Sequence, residues 1–344
     1  MNVWKQDIAA KNTAVEPAPH PWHRLVALGD SFTEGIGDPE PRSEGGFRGW
    51  ADRVAEELSA NQPDFAYANL AVRGLLVQQI LDHQLAAAVA LKPDLVTLSA
   101  GGNDIVFRRS DPDRLAEKID DGVAQLARSG ATVVLFAGPD WGATPVFSQI
   151  RGKVAIFNEN LHAVAARHDA VMVDLWFLRE LSNPGMWDPD RLHFSPLGHH
   201  TIAAAVLKAL GVPHTLEPLT PKPPLPRSWK EARTEDLIWA REYLVPWVIR
   251  QLKHPAAGEL TAKRPEPRPV FGIGTRPDLS SAVTRPDATV RGGSRTQVRT
   301  GQRFLCARFA AALTAALTAG GRPGCSASGS ATEPRTFAMA FMPW

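Results

Sequence analysis

The sequence predicts an α/β fold of three layers, α/β/α, on a five-stranded parallel sheet. Two observations carry this. From Arg24 to Leu210, short apolar runs alternate with longer segments of helical periodicity. The apolar runs are also continuous rather than alternating, as in strands covered on both faces.

The elements follow in order. Leu25–Leu28 reads as the first strand. Trp50, Val54 and Leu58 recur at four-residue spacing and mark the first long helix. Phe65–Leu70 is the second strand and Leu75–Leu91 the second helix. Leu95–Leu98 is the third strand, ending at Gly101-Gly102. Arg114–Ala127 is helical, Thr132–Phe136 is a β-branched fourth strand, Gln149–Arg167 is helical, and Val171–Leu175 is the fifth strand. Pro196–Leu210 closes the series as a helix, with proline suited to its first turn. This predicts a domain over 22–212, preceded by an N-terminal extension over 1–21.

Beyond it the texture changes. Residues 213–227 read as a Pro-rich linker, with a PxxP element at Pro221–Pro224. Residues 228–253 read as a C-terminal helix, with Trp239, Tyr243, Trp247 and Ile249 among its apolar positions, packing back on the domain. Residues 254–344 read as a disordered tail, rich in Arg, Pro, Gly, Ser and Thr. From Pro255 onward there are 12 basic and 5 acidic residues, so the rest of the chain is mildly acidic. That balance carries no footprint for nucleic acid on the domain. Both cysteines, Cys306 and Cys325, lie in the tail, leaving the domain without a disulfide framework or a thiolate metal site. The first 21 residues contain Lys5, Asp7, Lys11 and Glu16 and no apolar run, unlike a secretory signal. No stretch is long and apolar enough to predict a membrane span. Cytoplasmic localisation is the expectation.

Parallel sheets place their sites at the carboxyl ends of the strands. Three polar motifs stand there. Gly29-Asp30-Ser31-Phe32 follows the first strand, where a serine hydroxyl can project into a site near helical N–H groups; a serine there also serves as a helix cap. Asn69 to Gly74 follows the second strand, where a glycine N–H can face an oxyanion or simply make a turn. Gly101-Gly102-Asn103-Asp104 follows the third, where the Asn103 amide can donate to an oxyanion or cap a helix. A fourth motif, Asp188-Pro189-Asp190-Arg191-Leu192-His193, lies in the loop before the last helix. Its three-residue separation can set Asp190 beside His193, leaving the other imidazole nitrogen for Ser31; metal binding or structural pairing are the other uses of Asp-x-x-His. Asp188 is the rival partner of His193, at a spacing less suited to it. Thr33 replaces the last glycine of the G-x-S-x-G elbow, which argues against an ordinary α/β-hydrolase. His199 and His200 read as packing or surface residues. Trp141 and Trp187 follow strands four and five and suit a pocket wall or core equally.

Together the four motifs resemble the SGNH/GDSL hydrolase superfamily, over roughly Trp22 to Val212. The resemblance implies a flavodoxin-like fold, with Ser31 as nucleophile, His193 as general base and Asp190 as its orienter. It further implies an oxyanion hole made by the Ser31 and Gly74 N–H groups and the Asn103 amide. The implied activity is hydrolysis of a carboxylic ester through an acyl-enzyme, with no cofactor or metal. The substrate would be a small-molecule, lipid or acetylated-sugar ester. An acyltransferase or thioesterase would use the same triad, and a silent binding module would share the fold.

Overall fold

The computed structural model describes residues 20–221 apart from 61, 63, 107–109 and 144–146, together with 228–246 and 261–270. Its centre is a sheet of β1 (Arg24–Leu28), β2 (Ala66–Asn69), β3 (Leu95–Leu98), β4 (Thr132–Ala137), β5 (Val171–Asp174) and β6 (Arg264–Pro269), in the order β5-β4-β3-β1-β2-β6. The first five strands are parallel. Around them lie α1 (Ser31–Glu34), α2 (Gly49–Ser59), α3 (Val77–Ile80), α4 (Ala86–Ala90), α5 (Gly102–Ile105), α6 (Pro112–Arg128), α7 (Arg151–Arg167), α8 (Pro196–Ala209) and α9 (Trp229–Trp239).

The two-residue period of a strand sorts side chains to opposite faces. Val26 and Leu28 of β1 and Val133 and Leu135 of β4 join the apolar residues of α3, α4, α6 and α7. Leu25, Ala27, Val134 and Phe136 join those of α2 and α8 on the other face. Trp50, Val54 and Leu58 are all fully buried there, as their spacing predicts. Burying each such side chain stabilises by about 1.5–3 kcal/mol relative to leaving it in water. The result is the expected α/β/α arrangement.

Two features depart from the sequence reading. The helix read over 75–91 is interrupted: between α3 and α4 the chain makes a π turn at Leu81–Leu85. Such turns favour functional sites, and this one aims Gln84 inward.

The sheet also has six strands rather than five, because β6 pairs antiparallel with β2, Tyr67 facing Arg268 and Asn69 facing Arg264. This part of the 254–344 segment is therefore not a disordered tail. Its composition hides it: Arg-Pro-Glu-Pro-Arg-Pro opposes every strand preference except that of an edge, where proline is tolerated and blocks further pairing. Lys263, just before it, is buried, pairs with Asp52 and donates to the Glu34 carbonyl at 2.9 Å. Arg264 donates through Nε to the Tyr67 carbonyl at 2.8 Å and lies over the Tyr67 ring.

The C-terminal helix forms as α9 and continues through a π turn at Ala240–Leu244. Trp247 and Ile249, the extension over 1–19, most of the PxxP element and both cysteines lie outside the described residues. Among the described residues, no helix is long and apolar enough to cross a membrane.

Candidate active site

Ser31 opens α1 directly after β1, and the turn that carries it is held from several sides. Asp30 caps α1, its Oδ1 accepting from the Phe32 N–H at 3.0 Å. Thr33, where an elbow glycine would stand, is buried and its hydroxyl turns back toward the Leu28 carbonyl at 3.4 Å. Gln84 brackets the Gly29 peptide: its Oε1 accepts from the Gly29 N–H and its Nε2 donates to the Gly29 carbonyl, each at 2.8 Å. A side chain on Gly29 would collide with Thr33 and with the Ser99 carbonyl. Asn69 donates to the Thr33 carbonyl at 2.9 Å and accepts from the Ala71 N–H at 3.0 Å, tying the second motif to the first.

The fourth motif is brought to Ser31 by a tight loop. Trp187 and Phe194 form an antiparallel bridge, and the Asp188 N–H donates to the His193 carbonyl at 2.9 Å. Within it Asp190 Oδ1 accepts from the Leu192 and His193 N–H groups, at 2.9 and 3.0 Å. Its Oδ2 lies 2.5 Å from His193 Nδ1, and His193 Nε2 lies 3.0 Å from Ser31 Oγ. An ionised carboxylate only accepts, so the proton sits on Nδ1 and Nε2 is left to accept from the serine hydroxyl. Burial alone would push the Asp190 carboxyl up. The hydrogen bond and charge of His193, with the two backbone donors, outweigh burial and hold it below the usual carboxylate range. Asp188 contrasts with it: burial, then the neighbouring charge of Asp190, pushes it up, and its Oδ2 accepts from the Asp190 N–H at 3.5 Å rather than from the imidazole. Of the two candidate carboxylates, Asp190 is the one on the imidazole.

Of the three expected oxyanion donors, Ser31 and Asn103 line one cavity with His193, whereas Gly74 is outside its lining. Asn103 Nδ2 donates to Asp30 Oδ2 at 2.9 Å and to the Leu75 carbonyl at 3.0 Å, so both amide hydrogens are engaged in this state. Asp30 is buried, and burial raises its carboxyl to about 6. Gly74, at φ +81°, lies in the turn beside Arg73. The Arg73 N–H donates to Glu34 Oε2 at 2.8 Å, so the last residue of α1 holds that turn. Asp104 is a cap, accepting from the Val77 N–H at 3.0 Å.

The cavity measures about 140 Å³ and its wall is mostly apolar, with Phe136, Trp141, Phe157, Trp187 and Phe194 as its aromatic part. Gly101, at φ +102°, lets Phe157 pack on the backbone of the third motif; a Cβ there would lie 2.6 Å from the ring. Asn158 binds both the N–H and carbonyl of Gly138, at 2.8 Å each, and fixes the loop after β4. Trp187 packs on Phe194 at 4.3 Å between ring centroids and donates to the Leu181 carbonyl. His199 is fully buried and His200 lies at the surface, bonded to the Glu217 carbonyl; neither faces the cavity.

Sequence reasoning missed Gln84, Glu34, Asn158 and the α9 residues around Arg191. A glutamine on a helix face otherwise apolar was the only available signal for Gln84.

A family model of the GDSL-like lipase/acylhydrolase family matches residues 27–201, about half of the chain. No curated protein shows a significant match. Similar solved structures include LAE5, an alpha/beta hydrolase enzyme from the metagenome of Lake Arreo, Spain. It is 26% identical over 55% of this chain and 95% of its own, with a TM-score of 0.47. TesA is 24% identical over 54% and 97%, with a TM-score of 0.46. Axe2, an acetylxylan esterase from Geobacillus stearothermophilus, is 20% identical over 55% and 94%, with a TM-score of 0.46. The four motifs and the family match lead to one conclusion: this chain belongs to the GDSL-like lipase/acylhydrolase family and is a hydrolase acting on ester bonds.

Proposed function

We propose that the protein hydrolyses carboxylic esters of small apolar acids through a covalent acyl-enzyme on Ser31. The observation that carries this is the relay from Ser31 Oγ through His193 to Asp190, at 3.0 and 2.5 Å, opening on an apolar cavity. His193 Nε2 takes the hydroxyl proton as Oγ attacks the ester carbonyl. Asp190 stabilises the imidazolium so formed. The Ser31 N–H and the Asn103 amide, both in the cavity wall beside His193, stabilise the tetrahedral oxyanion, Asn103 sharing the hydrogen it gives Asp30. His193 returns the proton to the leaving alcohol as the C–O bond breaks. Water, deprotonated by the same imidazole, then attacks the acyl-serine and releases the acid, and Ser31 recovers its proton.

Cavity size narrows the substrate. An apolar cavity of about 150 Å³ takes a benzene ring, so the roughly 140 Å³ here suits an acyl or aryl group of about six carbons.

Two measurements test the reading. A fluorophosphonate probe should label wild type and not Ser31→Ala, whose kcat should fall on the order of 10⁴–10⁶; equal labelling of both would end the assignment. Across p-nitrophenyl esters, kcat/KM should peak near about six carbons, and Phe157→Ala should move the peak to longer chains. A maximum at acetate, or rates flat through the long chains, would overturn the substrate class.

A further inference from the structure

We propose that α9, which lies beyond the family match, is a positioning element for the Asp190–His193 pair, acting through Trp239 and Asp236. The inference rests on the serine-hydrolase reading above.

Three contacts converge on the loop between the two residues. The buried Trp239 donates through Nε1 to the Asp190 carbonyl at 2.6 Å. Asp236 Oδ1 accepts from Arg191 Nη1 at 2.5 Å. The Arg191 guanidinium lies over the Trp239 ring, 5.3 Å from its centroid. Arg191 itself is left-handed, at φ +54°, a conformation that an arginine adopts only when its surroundings hold it. On its other side, Trp239 meets Phe147 edge-on at 6.3 Å, and Phe147 packs at 4.9 Å on the cavity-wall Trp141.

Geometry explains why this bears on the chemistry and not only on stability. Asp190 offers both carboxylate oxygens inward, to His193 and to the backbone of its own loop. Its carbonyl is the handle left on the outside, and Trp239 takes it. A rotation of the 190–191 peptide would carry the carboxylate off the imidazole. Arg191 is a second reason. The charged groups around His193 are Asp190, Asp188 and Asp30, with the Arg191 cation next to Asp190 in the chain. While Asp236 holds that cation, Asp190 is left to the imidazole. Released, the guanidinium would compete for Asp190 or Asp188 and disfavour the imidazolium.

The test uses the full chain, a p-nitrophenyl ester and fluorophosphonate titration to count working sites. Trp239→Phe keeps an aromatic side chain for the Arg191 and Phe147 contacts and removes the donor. It should lower kcat per titrated site on the order of tenfold with KM little changed, since small misplacements at a reacting centre are costly. Asp236→Asn should shift the acidic limb of kcat/KM to lower pH, and Asp236→Glu should restore it. If kcat per titrated site and the acidic limb stay at wild-type values in both variants, α9 is a structural cover and the proposal is wrong, even if both lose thermal stability. If wild type itself is not labelled, the serine-hydrolase reading fails instead.

Discussion

Asp30 and Asn103 pose the sharpest question at the scale of single residues. The amide meant for an oxyanion is bonded to a buried carboxylate next to the nucleophile. If Asn103 acts in the transition state, Asn103→Ala should lower kcat by roughly 10²–10³ with KM nearly constant. A change confined to KM would make it a ground-state contact. The carboxylate pair offers a second test. Asp190→Asn keeps the shape of the loop but removes the charge that stabilises the imidazolium. The acidic limb of kcat/KM should therefore move to lower pH, with kcat down on the order of 10⁴ as the imidazole loses its orienter. Asp188→Asn should move the limb much less than Asp190→Asn does, because its side chain meets the Asp190 N–H rather than the ring and acts on the imidazole through its charge alone. The reverse pattern in a pH profile would reassign the roles. All of these side chains could be read in the sequence, since the motifs name them. That Asn103 spends both hydrogens, one on Asp30, could not, because it depends on which groups three separate strands deliver to one point.

Among the elements, β6 is the strand that truncation can remove without cutting into the parallel sheet. It covers the β2 edge and brings Lys263 into an ion pair with Asp52, whose carboxyl burial raises to about 6. Lys263→Ala leaves that carboxylate buried and unpaired, which costs about 3–5 kcal/mol when the charge cannot be relieved. Asp52 can relieve it by binding a proton. Its folded-state carboxyl is raised, so the folded state gains protons over the unfolded one as pH falls toward the unfolded value near 4. The stability gap between wild type and Lys263→Ala should thus be wide at pH 8 and narrow at pH 5, as urea unfolding can measure. A gap independent of pH would mean that the pair carries little of the effect. Truncation before residue 261 removes Lys263 and the strand together and lets water reach Asp52, so the carboxylate is no longer buried unpaired; the melting temperature should fall by several degrees, about what a loss of one to two kcal/mol produces in a domain this size. Hydrophobic periodicity found the five parallel strands and their helices within a residue or two. It could not find β6, whose charges and prolines are favourable only against Asp52, Glu44 and the β2 edge.

Across the whole molecule, His199 links the two halves of the site. It sits on α8, fully buried, its Nδ1 accepting from the Trp50 N–H at 3.2 Å and its Nε2–H donating to the Ile36 carbonyl at 3.0 Å. The helix that follows His193 is thereby joined to α2 and to the loop after Ser31. Burial lowers the imidazole to about 4, so it stays neutral in the folded protein while an unfolded chain would bind a proton from about pH 6.5 downward. Its contribution to stability is complete above pH 6.5 and is lost as pH falls toward 4. His199→Gln should melt below wild type at pH 7, and the difference should shrink between pH 6.5 and 4.5; a difference that grows on acidification would refute this. By itself the sequence determined the order of strands and helices, the parallel sheet and the four motifs at strand ends. Those rest on local periodicity and on short runs of chain. Only the tertiary structure decided that Asn103 gives both its hydrogens to Asp30 and Leu75, that α9 grips the Asp190–His193 loop, that Gln84 brackets the nucleophile turn, and that an arginine- and proline-rich segment forms the sixth strand. Each of these joins residues tens to hundreds of positions apart, or turns on backbone dihedrals in one loop. Their energies come from pairing buried polar groups, which no single segment of sequence contains.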